Sequence, residues 1–190
     1  MTDVHTQEVD GFGTFRITPL DPDGAEIDVL HGWVSEERAG FWGMTGIGRE
    51  DVRGIYTHMA TLDTHHAFLV RLDGAPVALF QTYEPEADRV SECYTVRDGD
   101  IGAHLLVAPS GPGGAVPGFT RTLVDVLMAY MLDGLGRRRV VVEPDARNDK
   151  AVALFERAGF EAAGEIVLPE VDLPEVYLPE KRARLAFYSR

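Results

Sequence analysis

Apolar residues recur along this chain with two periods, about two and about 3.6 residues, and the switches between them predict its elements. "GTFRITPL" (13–20) alternates as a half-buried strand does, and "DPDG" (21–24) turns the chain into a short helix through "AEIDVLHGW". Over 48–62, Val52, Ile55, Tyr56 and Met59 return at helical spacing, which puts Arg49, Glu50, Arg53 and His58 on the wet side. Two apolar runs, His66 to Leu72 and Val77 to Tyr83, flank "DGAP" and predict an antiparallel hairpin turning at Asp-Gly. "IGAHLLVA" (101–108) predicts a buried strand, followed by "PSGPGGAVPGF", a loop richer in Gly and Pro than a plain turn requires. A helix follows from Thr120 to Leu132, with Leu123, Val126, Leu127, Tyr130 and Met131 on one face and glycines 134 and 136 to end it. "RRRVVVEP" (137–144) is a strand, and Asn148 is placed to cap a helix lined by Ala151, Leu154, Phe155 and Ala158 and stopped by Gly159. "FEAAGEIV" and "RARLAFYS" are the last two strands.

This succession of strand, Gly-rich loop, helix, strand, helix and strand predicts a mixed α/β fold. The 190 residues, 45% of them hydrophobic, suffice for one sizeable core, so a single domain is expected over 1–190. Residues 1–30 form an N-terminal extension with one strand, and 168–181 form a Pro-rich insert between the last two strands. Within the insert, "LPE" occurs three times at a spacing of five, and prolines 169, 174 and 179 exclude a regular helix or central strand. It reads as an extended surface flap, with a lid over a substrate or a partner contact as the other readings.

Charge narrows the function classes. Eighteen Lys and Arg against 31 Asp and Glu leave −13, which repels nucleic acid and anionic membranes. The start "MTDVHTQEVDGFG" has no basic flank or apolar run, and no segment reaches the roughly 18 apolar residues of a membrane span, so a soluble, cytoplasmic protein is expected. Cys93 is the only cysteine, which excludes an internal disulfide and a Cys-based zinc cluster. No histidine lies near it in "VSECYTV" to activate it as a nucleophile. His58, His65 and His66 lack a matching carboxylate or Cys pattern and read as solvated histidines, so no metal is expected.

The chemistry concentrates in "VVVEPDARNDKAVALFERAGF" (140–160), where an apolar strand runs straight into Glu143, Asp145 and Asn148. The loop before the preceding helix would present successive backbone N–H groups at a helix N-terminus, an arrangement that binds a pyrophosphate. Alone it is more readily a plain connection, and Pro117 withholds one donor. Together, "IGAHLLVA", the Gly-rich loop, a helix and the pattern Asn148, Ala151, Phe155, Gly159, Phe160 resemble the GNAT superfamily of acyl-CoA-dependent N-acyltransferases, whose motifs occur in that order. "HLLV" with "EPDARN", "HGWV" and "FWGM" upstream and "LPEKRARLAF" at the end look like its siderophore-biosynthetic branch, which acylates N-hydroxylated lysine, ornithine or cadaverine, as in aerobactin, mycobactin and desferrioxamine assembly.

The resemblance implies a central, mostly antiparallel sheet with a parallel, splayed pair of strands, flanked by helices. It also implies that His104 and Asp145 are catalytic, at adjacent strand ends where the thioester enters. A nitrogen adding to a thioester carbonyl must lose a proton, and an imidazole accepts one near neutral pH. A carboxylate can hold the ring in its useful tautomer or orient the incoming substrate. Acyl-CoA, as acetyl-CoA or succinyl-CoA, is the implied co-substrate. Its expected contacts are Leu105, Leu106, Val107, Gly113, Gly114, Gly118, Phe119, Thr120, Asn148 and Phe155, with a strand N–H near Leu105 or Leu106 polarising the carbonyl oxygen. The acceptor side would comprise His31, Trp33, Phe41, Trp42 and Glu143.

On the residues alone each has a plainer reading: His104 as a satisfied core histidine, Glu143 and Asp145 as caps or solvated turn residues, Trp33, Phe41 and Trp42 as core aromatics. The loop "PGGAVPGFTR" also lacks the opening Gln or Arg and the basic run usual in the superfamily, leaving Arg121 as the nearby charge. The activity implied is acylation of the hydroxylated nitrogen of a diamine or basic amino acid, giving an iron-binding hydroxamate, by a monomer or homodimer. An aminoglycoside 6'-N-acetyltransferase and a non-catalytic acyl-CoA sensor are the alternatives.

Overall fold

The β-hairpin and helices expected from the pattern are present in a computed structural model that describes residues 2–111, 113–173 and 176–189, with the backbone alone for Leu173 and Val176. The chain divides into two compact units, Met1–Gln81 with His104–Thr120 and Thr82–Ala103 with Arg121–Arg190.

In the first unit, β1 (His5–Val9) and β2 (Gly13–Pro19) form an antiparallel hairpin, and β2 pairs antiparallel with β3 (His65–Leu72), Phe15 opposite Leu72 and Ile17 opposite Val70. β3 leads into β4 (Ala75–Tyr83) through Asp73 and Gly74, both with positive φ (48° and 86°), the backbone that a tight two-residue hairpin turn demands. β1 was not expected. "HTQEV" has no apolar run, and its partner strand and the turn at Gly11 (φ 78°) hold it in place. Helices α1 (Glu26–Val34) and α2 (Arg49–Met59) turn Ile27, Leu30, Trp33, Val52 and Tyr56 inward onto Leu69, Leu79 and Leu106.

In the second unit, β5 (Asp100–Val107), whose last four residues belong to the first unit, pairs in parallel with β6 (Arg139–Val142) through Asp100–Gly102. Beyond β6 lies β10 (Lys181–Ser189), antiparallel to it, and then β7 (Glu161–Leu168), antiparallel to β10. The expected mixed α/β class, mostly antiparallel strands with one parallel pair flanked by helices, is therefore the observed one. Tyr83, Val90, Val141, Leu168, Ala183 and Leu185 form a core in this unit. Helix α3 (Phe119–Ala129) ends earlier than its apolar stripe predicts, because Tyr130–Gly134 continue as a π turn whose side chains at 130–132 remain buried. Helix α4 (Asp149–Arg157) completes the unit.

The Pro-rich insert contains β8 (Val171–Leu173) and β9 (Val176–Leu178), a small antiparallel pair forming a sheet of its own. Pro174 and Glu175 of the middle repeat lie outside the described residues. Arg89 Nη1 donates to the carbonyls of Pro169 (2.9 Å) and Pro179 (2.7 Å), which ties the two ends of the insert together. Among the described residues no helix is long and apolar enough to cross a membrane.

Candidate active site

His104 stands on β5, half-buried, with Nδ1 3.4 Å from Gln81 Oε1 and the Trp42 ring edge-on at 6.3 Å between centroids. Gln81 is itself buried, and its Nε2 donates to the Tyr56 hydroxyl at 3.3 Å. Burial pushes the Tyr56 hydroxyl far above its usual range, against the opposite pull of Trp42 and Gln81 as donors to its oxygen. The phenol therefore stays neutral. Trp42, Tyr56, Gln81 and His104 thus form one polar-aromatic cluster in the first unit.

The other residues expected on the acceptor side divide. Trp33 is core, 7% exposed among Leu30, Val34 and their neighbours, as its plainer reading had it. Phe41 is 44% exposed on a 3-10 turn, Glu37–Trp42, that the sequence pattern did not announce. His31 Nε2 is 3.3 Å from the Ile47 carbonyl.

In the second unit, Glu143 is no solvated turn residue. It is 3% exposed, accepts from the Tyr83 hydroxyl at 2.8 Å, and has Lys181 Nζ 3.8 Å from Oε1 and 3.1 Å from its own backbone carbonyl. Burial first and the Glu143 carboxyl second push the Tyr83 hydroxyl well above its usual range, so Tyr83 is the donor of the pair. The Tyr83 ring lies so close over Gly102 that a Cβ there would fall within it.

Asp145 is buried as well, held by β10 through an isolated bridge to Ala183 and through Ala146 N–H to the Arg182 carbonyl at 3.0 Å. Its carboxylate takes Arg147 in a fork, Nε to Oδ1 at 2.9 Å and Nη2 to Oδ2 at 2.8 Å, and also accepts the Arg147 N–H at 2.9 Å. The Arg147 side chain holds the carboxyl below the ordinary aspartate range, with burial opposing it. Asp145 is consequently ionised near neutral pH and a poor proton acceptor. Asn148 caps α4 as its position predicts, Oδ1 accepting from Ala151 N–H at 3.2 Å. Phe155 packs edge to face on Phe160, with centroids 5.1 Å apart.

The loop expected at the CoA phosphates is exposed throughout its described part, 109–111 and 113–118, and Gly114 and Gly118 adopt left-handed backbone (φ 79° and 80°). Two of its donors are spent on turns, Gly114 N–H on the Gly111 carbonyl and Phe119 N–H on the Val116 carbonyl. Phe119 stacks on Phe15, which fixes the start of α3, and Thr120 follows it half-buried. Arg121, the nearby charge, is engaged elsewhere: with Asp125 at 3.0 Å and the Arg157 carbonyl at 2.6 Å. On β5, Leu106 is core, Leu105 is half-buried, and the Val107 carbonyl accepts from Arg38 Nη1 at 2.6 Å. Among the described residues no group of three or more His, Cys, Asp or Glu is placed to hold a metal ion.

Sequence reasoning missed Gln81, Tyr56, Tyr83 and Lys181. Gln81 was detectable as the one amide in the run "APVALFQTY", an uncompensated cost unless something bonds it.

Comparison with known proteins decides the family, because a family model described as "Acetyltransferase (GNAT) domain" matches residues 23–168. The chain belongs to the GNAT acetyltransferase family. An N-hydroxyputrescine acetyltransferase of Acinetobacter baumannii is 28% identical over 92 residues, which is 48% of this chain and 43% of that relative, so the match spans under half of the relative's length. Among solved structures, an uncharacterized protein from Bacillus halodurans superposes with a TM-score of 0.78 at 23% identity, covering 99% of this chain and 92% of its own. The aminoglycoside acetyltransferase AAC(6')-Ib in complex with coenzyme A does so with a TM-score of 0.71 at 19% identity, covering 93% and 95%. At these identities the two structures establish the GNAT fold alone.

Proposed function

We propose that this GNAT protein transfers an acyl group from acyl-CoA, acetyl or succinyl, to the hydroxylated nitrogen of an N-hydroxy diamine or basic amino acid, forming a hydroxamate of the kind used in siderophores for iron acquisition. The observation that carries the reading is the match to an N-hydroxyputrescine acetyltransferase in a chain whose β5 carries a histidine with bonded Nδ1. An N-hydroxy diamine is its simplest acceptor.

In the reaction the hydroxylamine nitrogen adds to the thioester carbonyl carbon, the C–N bond forms, and the nitrogen's proton passes to His104. The C–S bond then breaks, and the thiolate regains a proton to leave as free CoA. An N-hydroxyamine is less basic than a simple amine and reaches the site unprotonated, so a base need act only as the bond forms. Asp145, kept charged by Arg147, is assigned to orienting the acceptor. The net charge of −13 favours cationic acceptors, whereas Glu143, expected on the acceptor side, is buried against Tyr83 and Lys181 and is not assigned to the distal ammonium of a diamine. For the co-substrate, the reading assigns the β5 backbone at Leu105–Val107 to the thioester and pantetheine, the loop at Gly113, Gly114 and Gly118 with the α3 start at Phe119 and Thr120 to the phosphates, and Asn148 with Phe155 to the thiol end. His31, Phe41 and Trp42 are assigned to the acceptor.

The test is free-thiol release from acetyl-CoA and succinyl-CoA with N-hydroxyputrescine, N-hydroxycadaverine, N-hydroxylysine, N-hydroxyornithine, the parent diamines and a set of aminoglycosides. Turnover with hydroxylated acceptors that outpaces their parent amines is expected. Turnover only with aminoglycosides, or CoA binding without any turnover, contradicts the proposal and points to an aminoglycoside enzyme or a sensor.

A further inference from the structure

Gln81 occupies a place in β4 where the three preceding residues, Ala78, Leu79 and Phe80, are apolar and buried. A buried amide is costly unless both ends are bonded, and a leucine would fill the same volume without that cost. Its two ends are used unequally. Nε2 donates to the Tyr56 hydroxyl, and with the amide so oriented Oε1 is the atom that meets His104 Nδ1 at 3.4 Å. A carbonyl oxygen only accepts, so the ring nitrogen facing it must carry hydrogen. We infer that Gln81, held by the Tyr56 hydroxyl, is a positioning residue that fixes His104 in its Nδ1–H tautomer, so that Nε2 bears the lone pair.

A neutral imidazole in water prefers the opposite tautomer, with hydrogen on Nε2, so the protein has to impose this one. Tyr56 is 2% exposed and neutral, which makes its hydroxyl a fixed anchor for the amide, and the Trp42 edge restricts rotation of the ring. An uncharged amide orients the ring without the electrostatic stabilisation of imidazolium that a carboxylate would add. The catalytic consequence rests on the reading of His104 as the base, whereas the tautomer itself does not.

Long-range proton–nitrogen correlation spectra of the 15N-labelled protein, recorded where the ring is neutral, read the tautomer directly. The expected wild-type spectrum has His104 Nδ1 protonated and Nε2 unprotonated. Gln81→Leu should move the ring toward the Nε2–H form and lower kcat about tenfold, part of the roughly 10²- to 10⁴-fold contribution of a positioned base, with the KM for acyl-CoA unchanged. Gln81→Glu keeps an acceptor and should preserve the tautomer, while its charge favours imidazolium and shifts the acid limb of the kcat/KM profile to higher pH. A wild-type spectrum with hydrogen on Nε2, or a Gln81→Leu spectrum identical to wild type, overturns the inference. If the tautomer is as expected but His104→Ala keeps full activity, the assignment of His104 as base fails and the positioning by Gln81 stands.

Discussion

The Tyr83 hydroxyl donates to Glu143 Oε2 at 2.8 Å, and both side chains are almost wholly buried, so the sequence's apparent strand-end carboxylate is part of an interior hydrogen bond. Tyr83→Phe removes the donor with little change of shape. It is expected to cost about 1–3 kcal/mol, the range for depriving a buried polar group of a partner. Urea denaturation with an unchanged m value checks it, and a loss below a few tenths of a kcal/mol would contradict it.

Gly102 is required for the same reason. Its position under the Tyr83 ring leaves no room for a methyl group, so Gly102→Ala must displace the ring and disturb the bond to Glu143. A destabilisation of roughly 1–3 kcal/mol, the usual cost of overpacking a core, is expected. Combining Gly102→Ala with Tyr83→Ala should recover part of the loss, and strict additivity of the two would refute the account.

Among the described residues Asp100 and Arg139 form the most buried ion pair, Nε to Oδ1 at 2.7 Å and Nη2 to Oδ2 at 2.6 Å, with the Tyr94 hydroxyl and Arg97 N–H also donating to Asp100 and the guanidinium 4.3 Å over Phe187. Burial alone would raise the Asp100 pKa, but these donors outweigh it and hold it below the ordinary range. Because the folded value is depressed, the stabilisation is fully present above the unfolded aspartate pKa of about 3.9 and is lost as pH falls through the lower folded value. Asp100→Ala leaves Arg139 buried without its anion and should cost about 3–5 kcal/mol at neutral pH. Denaturation curves across acid pH should show a shallower decline for Asp100→Asn than for wild type.

Arg147→Ala should release Asp145 from its fork. The carboxyl pKa then rises toward the ordinary range, since the Arg147 hydrogen bonds are the chief cause of its depression. Arg147 is largely exposed, so global stability should change little. Acceptor KM should respond more than kcat if Asp145 orients the acceptor. Titration of the Asp145 carboxyl by NMR checks the first part, and an unmoved pKa would refute it.

How far these relationships were legible follows from what fixes them. The β3–β4 hairpin was readable because Asp73-Gly74 supplies the turn, and the Asn148 cap because its spacing to the helix is local. β1 was not, since "HTQEV" has no apolar signature and owes its conformation to pairing with β2. His104 was singled out by its motif, but its Gln81 partner is 23 residues away in sequence, and Tyr56 lies a further 25 from Gln81. The burial of Glu143 was likewise invisible, because the Tyr83 that receives it is 60 residues distant.

The most direct test of the central claim is the product itself. Acyl-CoA and N-hydroxyputrescine would be incubated with the protein, and thiol release compared with the hydroxamate formed, measured by its coloured ferric complex. The account predicts one hydroxamate for each thiol released and loss of both in His104→Ala. Thiol release without hydroxamate would mean acylation at the unhydroxylated amine, and equal hydroxamate yield from His104→Ala would remove His104 from the chemistry. Either result contradicts the account.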